Sequence, residues 1–263
     1  MENLRKYGEK PFNIAVLHGG PGVSGEMAPV AKKLSSLSGI LEPFQTATTI
    51  DGQVEELKEV LIKHGTLPVT LIGFSWGAWL SYIFAAKHPS LIKKIILVAS
   101  GAFTEEYTSV PMETLLHRLD KEEKEEAKSL IKILSDANEK NRNKEFARFG
   151  ALMSKANAFD PISSGFQTED LKFQQEIFTN IRKEAAGLRK TGELLELGKK
   201  IESPVVAIHG EDDPSPYKGV EEPLSQTLKS FDFILLKYCG HKPWIEKDAT
   251  KEFYRVLEKE LKE

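Results

Sequence analysis

Two kinds of apolar pattern alternate along this chain. Phe12–Leu17 is apolar except for Asn13 and stops at His18-Gly19-Gly20-Pro21-Gly22. Val69–Phe74 opens after Pro68 and ends at Ser75, and residues 95–99 and 205–208 are apolar throughout. Such runs read as strands covered on both faces, the situation of a parallel sheet. Residues 40–45 and 233–238 carry weaker strand signals. Between these runs the apolar period becomes helical. A helix is predicted over 27–36. Another follows Asp51 as N-cap, with Val54, Leu57, Val60 and Leu61 on one face and Gly65 as its stop. Residues 76–88 form a helix that ends before Pro89. Residues 219–229 form one more, and Asp248 caps a last helix with Phe253, Leu257 and Leu261 on one face. Strand–helix alternation of this kind implies a parallel sheet flanked by helices.

The alternation is interrupted between about residues 102 and 200. That stretch shows little strand signal and is helical and charged, as in Asp120-Lys-Glu-Glu-Lys-Glu-Glu126. Leu115, Leu116 and Leu119, then Leu130, Ile131 and Leu134, mark its amphipathic faces. The reading is a core domain of residues 1–101 and 203–263 with a helical cap, 102–202, inserted between two sheet strands. A cap so placed covers the carboxyl edge of the strands, where open α/β sheets hold their sites. Little chain precedes Phe12, so the sheet is expected to be short at its N-terminal end, with about six strands.

The chemistry-bearing motif is Gly73-Phe74-Ser75-Trp76-Gly77, a G-x-S-x-G lying where a buried strand meets a helix. A serine at such a turn is lifted clear of the backbone, and glycines flank it because strand and helix approach closely there. With this elbow and the early His18-Gly19-Gly20-Pro21-Gly22 loop, the chain resembles the α/β-hydrolase superfamily. The HGGPG form of the loop is similar to that of proline iminopeptidases and their relatives. The resemblance covers roughly residues 12–101 and 203–262. It implies an acid after the first strand beyond the cap, three residues past the glycine of His209-Gly210-Glu211-Asp212-Asp213, which selects Asp213 over its neighbour Asp212. It implies a histidine just past the last strand, where Cys239-Gly240-His241 stands. The order Ser75, Asp213, His241 is the superfamily's order. His241 would act as base and then acid, and Asp213 would hold its tautomer. The oxyanion donors implied are the backbone N–H of Trp76 and that of Gly20, ahead of Gly19. His18, Gly19 and Phe74 are candidates for the substrate pocket, with His18 organising the loop by hydrogen bonds. Proline iminopeptidases bind a free α-amine with cap acids, and this insertion offers Glu105, Glu106, Glu113, Asp160 and Glu169.

Composition narrows the function further. Lys and Arg total 36 against 39 Asp and Glu, a net charge of −3, which does not suit a nucleic-acid binder. The single cysteine, Cys239, allows no intrachain disulfide and no cysteine-built zinc cluster. No H-E-x-x-H, dinucleotide fingerprint or Walker loop is present, so no metal or cofactor is expected. The apolar runs are far shorter than the ~18 residues of a membrane span, and MENLRKYGEK has no apolar signal core. The expectation is a cytoplasmic serine hydrolase with no membrane partner, acting on a small-molecule or short-peptide substrate, an ester or amide. The alternatives are an aminopeptidase of the proline iminopeptidase type, or an acyltransferase or non-catalytic binding protein on the same fold.

Overall fold

The computed structural model describes residues 3–107, 110–135, 142–162 and 172–262. Its main sheet has seven strands: β1 (Leu4–Tyr7), β2 (Phe12–Leu17), β4 (Gly39–Pro43), β5 (Val69–Phe74), β6 (Ile92–Val98), β8 (Val205–Gly210) and β9 (Phe231–Leu236). Their order across the sheet is β1-β4-β2-β5-β6-β8-β9. All neighbours are parallel except β1, which runs antiparallel to β4 with Leu4 opposite Pro43. The sheet therefore has one strand more than the sequence suggested. β1 escapes a pattern reading because it is a short edge strand of sequence LRKY in which Leu4 alone is buried. Its Tyr7 hydroxyl donates to the buried Glu42 carboxylate at 2.6 Å.

Both faces of the sheet are covered, which explains the unbroken apolar runs. Ala15, Leu71, Ile95 and Ala207 pack into one core cluster, and their chain neighbours Val16, Ile72, Ile96 and Val206 pack into the other. Helices α2 (Ile50–His64) and α3 (Trp76–Lys87) cover the first face. Helices α1 (Ala28–Leu34) and α10 (Thr250–Lys262) cover the second. α9 (Lys218–Thr227) connects β8 to β9. The N-cap of α2 is Thr49 rather than Asp51: the Thr49 hydroxyl accepts from the Gly52 N–H at 3.1 Å. Asp51 lies inside the first turn, where its charge still suits the helix dipole.

The insertion between β6 and β8 carries α4 (Met112–Leu116), α5 (Lys121–Ser135), α6 (Asn143–Ala156), α7 (Gln175–Thr191) and α8 (Glu193–Glu196). It divides physically into two parts. α4, α5 and α6 share their own small core of Leu116, Leu119, Ala127, Leu130, Leu152 and Ala156. α7 instead puts Ile177, Ile181 and Ala185 into the main core, and its Glu184 carboxylate accepts the Ile50 N–H at the start of α2 at 2.8 Å. One strand pair ties the insertion to the early loop. β3 (Val23–Ser24) pairs antiparallel with β7 (Lys172–Phe173), two residues each, too short to leave a sequence signal. Among the described residues no helix is long and apolar enough to cross a membrane.

Candidate active site

Ser75 sits between β5 and α3 at φ 51° and ψ −109°, a conformation that L residues rarely adopt. Its N–H donates to Val98 O at 2.9 Å, so the turn is pinned to the neighbouring strand. The flanking glycines are needed for contact, not flexibility. A Cβ on Gly73 would lie 2.1 Å from Gly77 O, and one on Gly77 would lie 2.4 Å from Leu17 O and 2.6 Å from His18 O. The second approach also brings the early loop against the elbow. Trp76 is the first residue of α3, so its N–H has no partner within the helix. Its indole N–H donates to Gln53 Oε1 at 2.9 Å, and Gln53 is itself held by Ala47 O. Sequence reading did not find Gln53, a polar residue on an otherwise apolar helix face.

Asp213 follows β8 in a tight turn. Its Oδ1 accepts the Ser215 N–H at 2.8 Å, and its Oδ2 lies 2.8 Å from His241 Nδ1. Its side chain is 1% exposed. Burial acts to raise its pKa, but the charge and hydrogen bond of His241, the His209 ring and the Ser215 N–H outweigh it, and the carboxyl is held below its usual range. His241 is fixed through its own N–H, which donates to Asn157 O at 2.9 Å. Asp212, the neighbour in sequence, contributes its backbone N–H to Cys239 O, bracing the acid turn against the histidine loop. Cys239 is buried, and burial pushes its thiol pKa up.

Ser75, Trp76, Gly20, Asp213 and His241 all line one cavity of about 1250 Å³ between the carboxyl edge of the sheet and the insertion. Phe74 lines it too, with its ring 4.9 Å from that of His241 and 4.7 Å from that of Trp244. His18 and Gly19, by contrast, are not on the wall. His18 is fully buried, with Nδ1 2.7 Å from Gly19 O and Nε2 receiving the Gln45 N–H at 3.5 Å. Gly19 is covered by the Phe74 ring and the Glu26 carboxylate. Of the three pocket candidates, Phe74 lines the cavity and His18 and Gly19 lie behind its wall.

Two further groups emerge only in three dimensions. Lys242 lines the cavity beside His241, pairs with Glu26 at 2.6 Å and donates to Ser154 Oγ at 2.7 Å, joining the early loop to α6. Glu246 is fully buried, and its carboxylate accepts three backbone N–H groups, from Gly240, Phe159 and Asp160, at 2.8–2.9 Å. It therefore clamps the loop before His241 to the chain leaving α6. Lys242 could have been noticed as the neighbour of His241. Glu246 has no sequence signal, because its partners are main-chain groups.

The fold is shared with many solved structures. It is similar to 2-hydroxy-6-oxo-6-phenylhexa-2,4-dienoate hydrolase from Rhodococcus sp. strain RHA1, at 18% identity and a TM-score of 0.67 over 97% of this chain and 92% of that one. It is similar to a monoacylglycerol lipase from Paleococcus ferrophilus, at 17% identity and a TM-score of 0.58 over 97% and 95% of the two chains. It is also similar to an N-acyl homoserine lactone degrading enzyme, at 16% identity and a TM-score of 0.63 over 97% and 95%. No curated protein matches the sequence. Identities this low speak for the fold alone. The sequence profile of the alpha/beta hydrolase fold matches residues 14–248, which span the elbow, the acid turn and the histidine loop, and this chain belongs to that family.

Proposed function

We propose that this chain is a cofactor-free serine hydrolase that cleaves a small ester or amide through an acyl-enzyme on Ser75, with residues 102–202 serving as a cap. The observation that carries this reading is the 2.8 Å contact of His241 Nδ1 with Asp213 Oδ2 in the cavity that Ser75 lines. An ionised carboxylate only accepts hydrogen bonds, so Nδ1 carries the proton and Nε2 holds the free lone pair. Nε2 takes the Ser75 proton as Oγ attacks the carbonyl carbon, then gives it to the leaving alcohol or amine. The Trp76 and Gly20 N–H groups receive the charge that develops on the carbonyl oxygen. Water then repeats the sequence on the acyl-enzyme, and the acid product leaves.

The Gly19-Gly20-Pro21-Gly22 loop favours a second reading, removal of an N-terminal proline. That activity needs a cavity acid for the free amine. The acids on the described wall are Glu26 and Asp213, already engaged by Lys242 and His241. Glu105 pairs with Arg189 and Asp160 with Lys247, while Glu106 and Glu113 are not on the wall. Glu169 lies outside the described residues. The ester reading therefore ranks first.

The test is fluorophosphonate labelling together with initial rates on p-nitrophenyl butyrate and proline p-nitroanilide, each with a Ser75→Ala control. Labelling and ester turnover that vanish in the variant support the proposal. Anilide turnover lost in the variant would move the assignment to the peptidase. An unlabelled Ser75 with no turnover would leave a binding protein on a hydrolase fold.

A further inference from the structure

We infer that the substrate carries an anionic group remote from the scissile carbonyl, and that Arg182 on α7 receives it. The inference deepens the hydrolase reading and rests on it for the position of the reacting carbonyl.

The charge on the cavity wall is opposite in sign to that of the chain. Acids outnumber bases 39 to 36 in the sequence. On the described wall the bases are Lys32, Arg182, Arg189 and Lys242, and the acids are Glu26 and Asp213. Lys242 is matched by Glu26 at 2.6 Å, Asp213 by His241 at 2.8 Å, and Arg189 by Glu105 at 2.5 Å. Lys32 and Arg182 have no acidic partner among the described residues.

Of these two cations, Arg182 is the one built into a site. Its guanidinium carbon lies 5.1 Å from the centroid of the Phe178 ring, one turn earlier on the same helix. Phe178 packs edge-on against Phe146 of α6 at 4.8 Å. All three residues face the cavity. An arginine resting on an aromatic face keeps its N–H donors free at its edge, a geometry that suits the planar fork of a carboxylate. The same lining includes the apolar side chains of Leu115, Ile131, Phe149 and Met153, against which a hydrocarbon linker can lie without leaving a polar group unpaired. A substrate with a neutral tail leaves the Arg182 charge unmatched, and one with a cationic tail is repelled by it. The favoured class is an ester whose acyl chain ends in a carboxylate, the monoester of a dicarboxylic acid.

The turnover test compares p-nitrophenyl monoesters of adipic, suberic and sebacic acids with the p-nitrophenyl esters of the matching monocarboxylic acids. The readout is the ratio of kcat/KM, charged over neutral. In the wild type the ratio exceeds one for at least one length. In Arg182→Gln it falls about fivefold, the upper range for an accessible ion pair, and in Arg182→Glu it falls further. Lys229→Glu makes the same charge change on an exposed residue away from the cavity, and it leaves the ratio at the wild-type value. A ratio that ignores Arg182 at every length overturns the inference while leaving the hydrolase reading intact.

A binding measurement keeps the two separable if nothing is turned over. All three tryptophans of the chain, Trp76, Trp79 and Trp244, line the cavity, so intrinsic fluorescence reports its occupancy. In a Ser75→Ala background, the monomethyl ester of adipic, suberic or sebacic acid binds more tightly than the methyl ester of the matching monocarboxylic acid at one length at least, and Arg182→Glu removes the difference. Equal affinities at every length, or a difference that survives Arg182→Glu, overturn the inference whether or not the chain is a hydrolase.

Discussion

His209 Nε2 lies 3.3 Å from Asp213 Oδ2 and 2.8 Å from Ser215 O, so one buried ring touches both the acid and the far end of its turn. The Ser215 carbonyl can only accept, so Nε2 carries a proton that is shared between the two oxygens. Burial, the largest influence, lowers the pKa of His209, against the opposing pull of the Asp213 carboxylate and the Ser215 carbonyl. The ring is therefore a neutral donor that orients the carboxylate at the same oxygen, Oδ2, that His241 contacts, a positioning residue in the proposed mechanism. Replacing His209 by Phe should lower kcat about tenfold with KM little changed, the effect of one hydrogen bond to a charged group. His209→Gln, which returns an N–H at similar reach, should recover most of the lost kcat. A kcat that is unchanged in the Phe variant, or not restored by Gln, would reduce His209 to a space filler.

Stability should depend on pH through the same ring and through His18. Both are buried and have pKa values below 6.5, with burial the leading cause in each. Between the folded and unfolded values the unfolded chain binds protons that the folded chain does not, so falling pH favours unfolding. The penalty is absent above about pH 7 and grows as pH drops through about 6.5. Each histidine adds up to about 1.4 kcal/mol per pH unit below that point. Asp213, whose pKa is held down, contributes stability above about 3.9 that is lost only at lower pH, so it adds no slope in this window. Urea unfolding at pH 5, 6 and 7 measures the slope, and His209→Gln should reduce it by one histidine's share.

Glu246 should matter more than any surface acid. Removing its carboxylate leaves three backbone N–H groups without their acceptor, at Gly240, Phe159 and Asp160. Glu246→Ala should cost at least about 2 kcal/mol. It should also lower kcat, because the loop bearing His241 loses its tether. Denaturant melts and rates on the same preparations check both effects. Full activity at reduced stability would show that the tether holds the fold but not the histidine.

The elbow predicts a trade between stability and function. Ser75 pays conformational strain at φ 51° that glycine would not. Ser75→Gly should stabilise the fold by about 1 kcal/mol, or about 2–4 °C in Tm for a chain of this size, while abolishing turnover. Ser75→Ala should abolish turnover with no such gain. Calorimetric scans of the two variants distinguish them.

Much of the architecture was legible in the sequence because burial on both faces leaves a strong local mark. The runs Phe12–Leu17 and Val69–Phe74 are strands in the structure with the same bounds, since every position must be apolar whichever way it points. β1 was not legible, because an edge strand with one buried residue has no such pattern. Asp213 and His241 were expected from the family resemblance, and the structure brings them within 2.8 Å of each other just past two strand ends.

What the sequence determined by itself was the order of strands and helices and the residue types at the elbow, the acid turn and the histidine loop. These follow from local propensity and from glycine where a Cβ cannot fit. What only the tertiary structure decided was the pairing of groups far apart in the chain. His209 against Asp213 can be placed only once the turn closes. Glu246 beneath Gly240 and Phe159, Lys242 between Glu26 and Ser154, and Arg182 facing the cavity that Ser75 lines depend on how the insertion folds back on the sheet. A hydrogen bond or a charge on a wall depends on distance in space, and distance in space between distant segments is set by packing rather than by spacing along the chain.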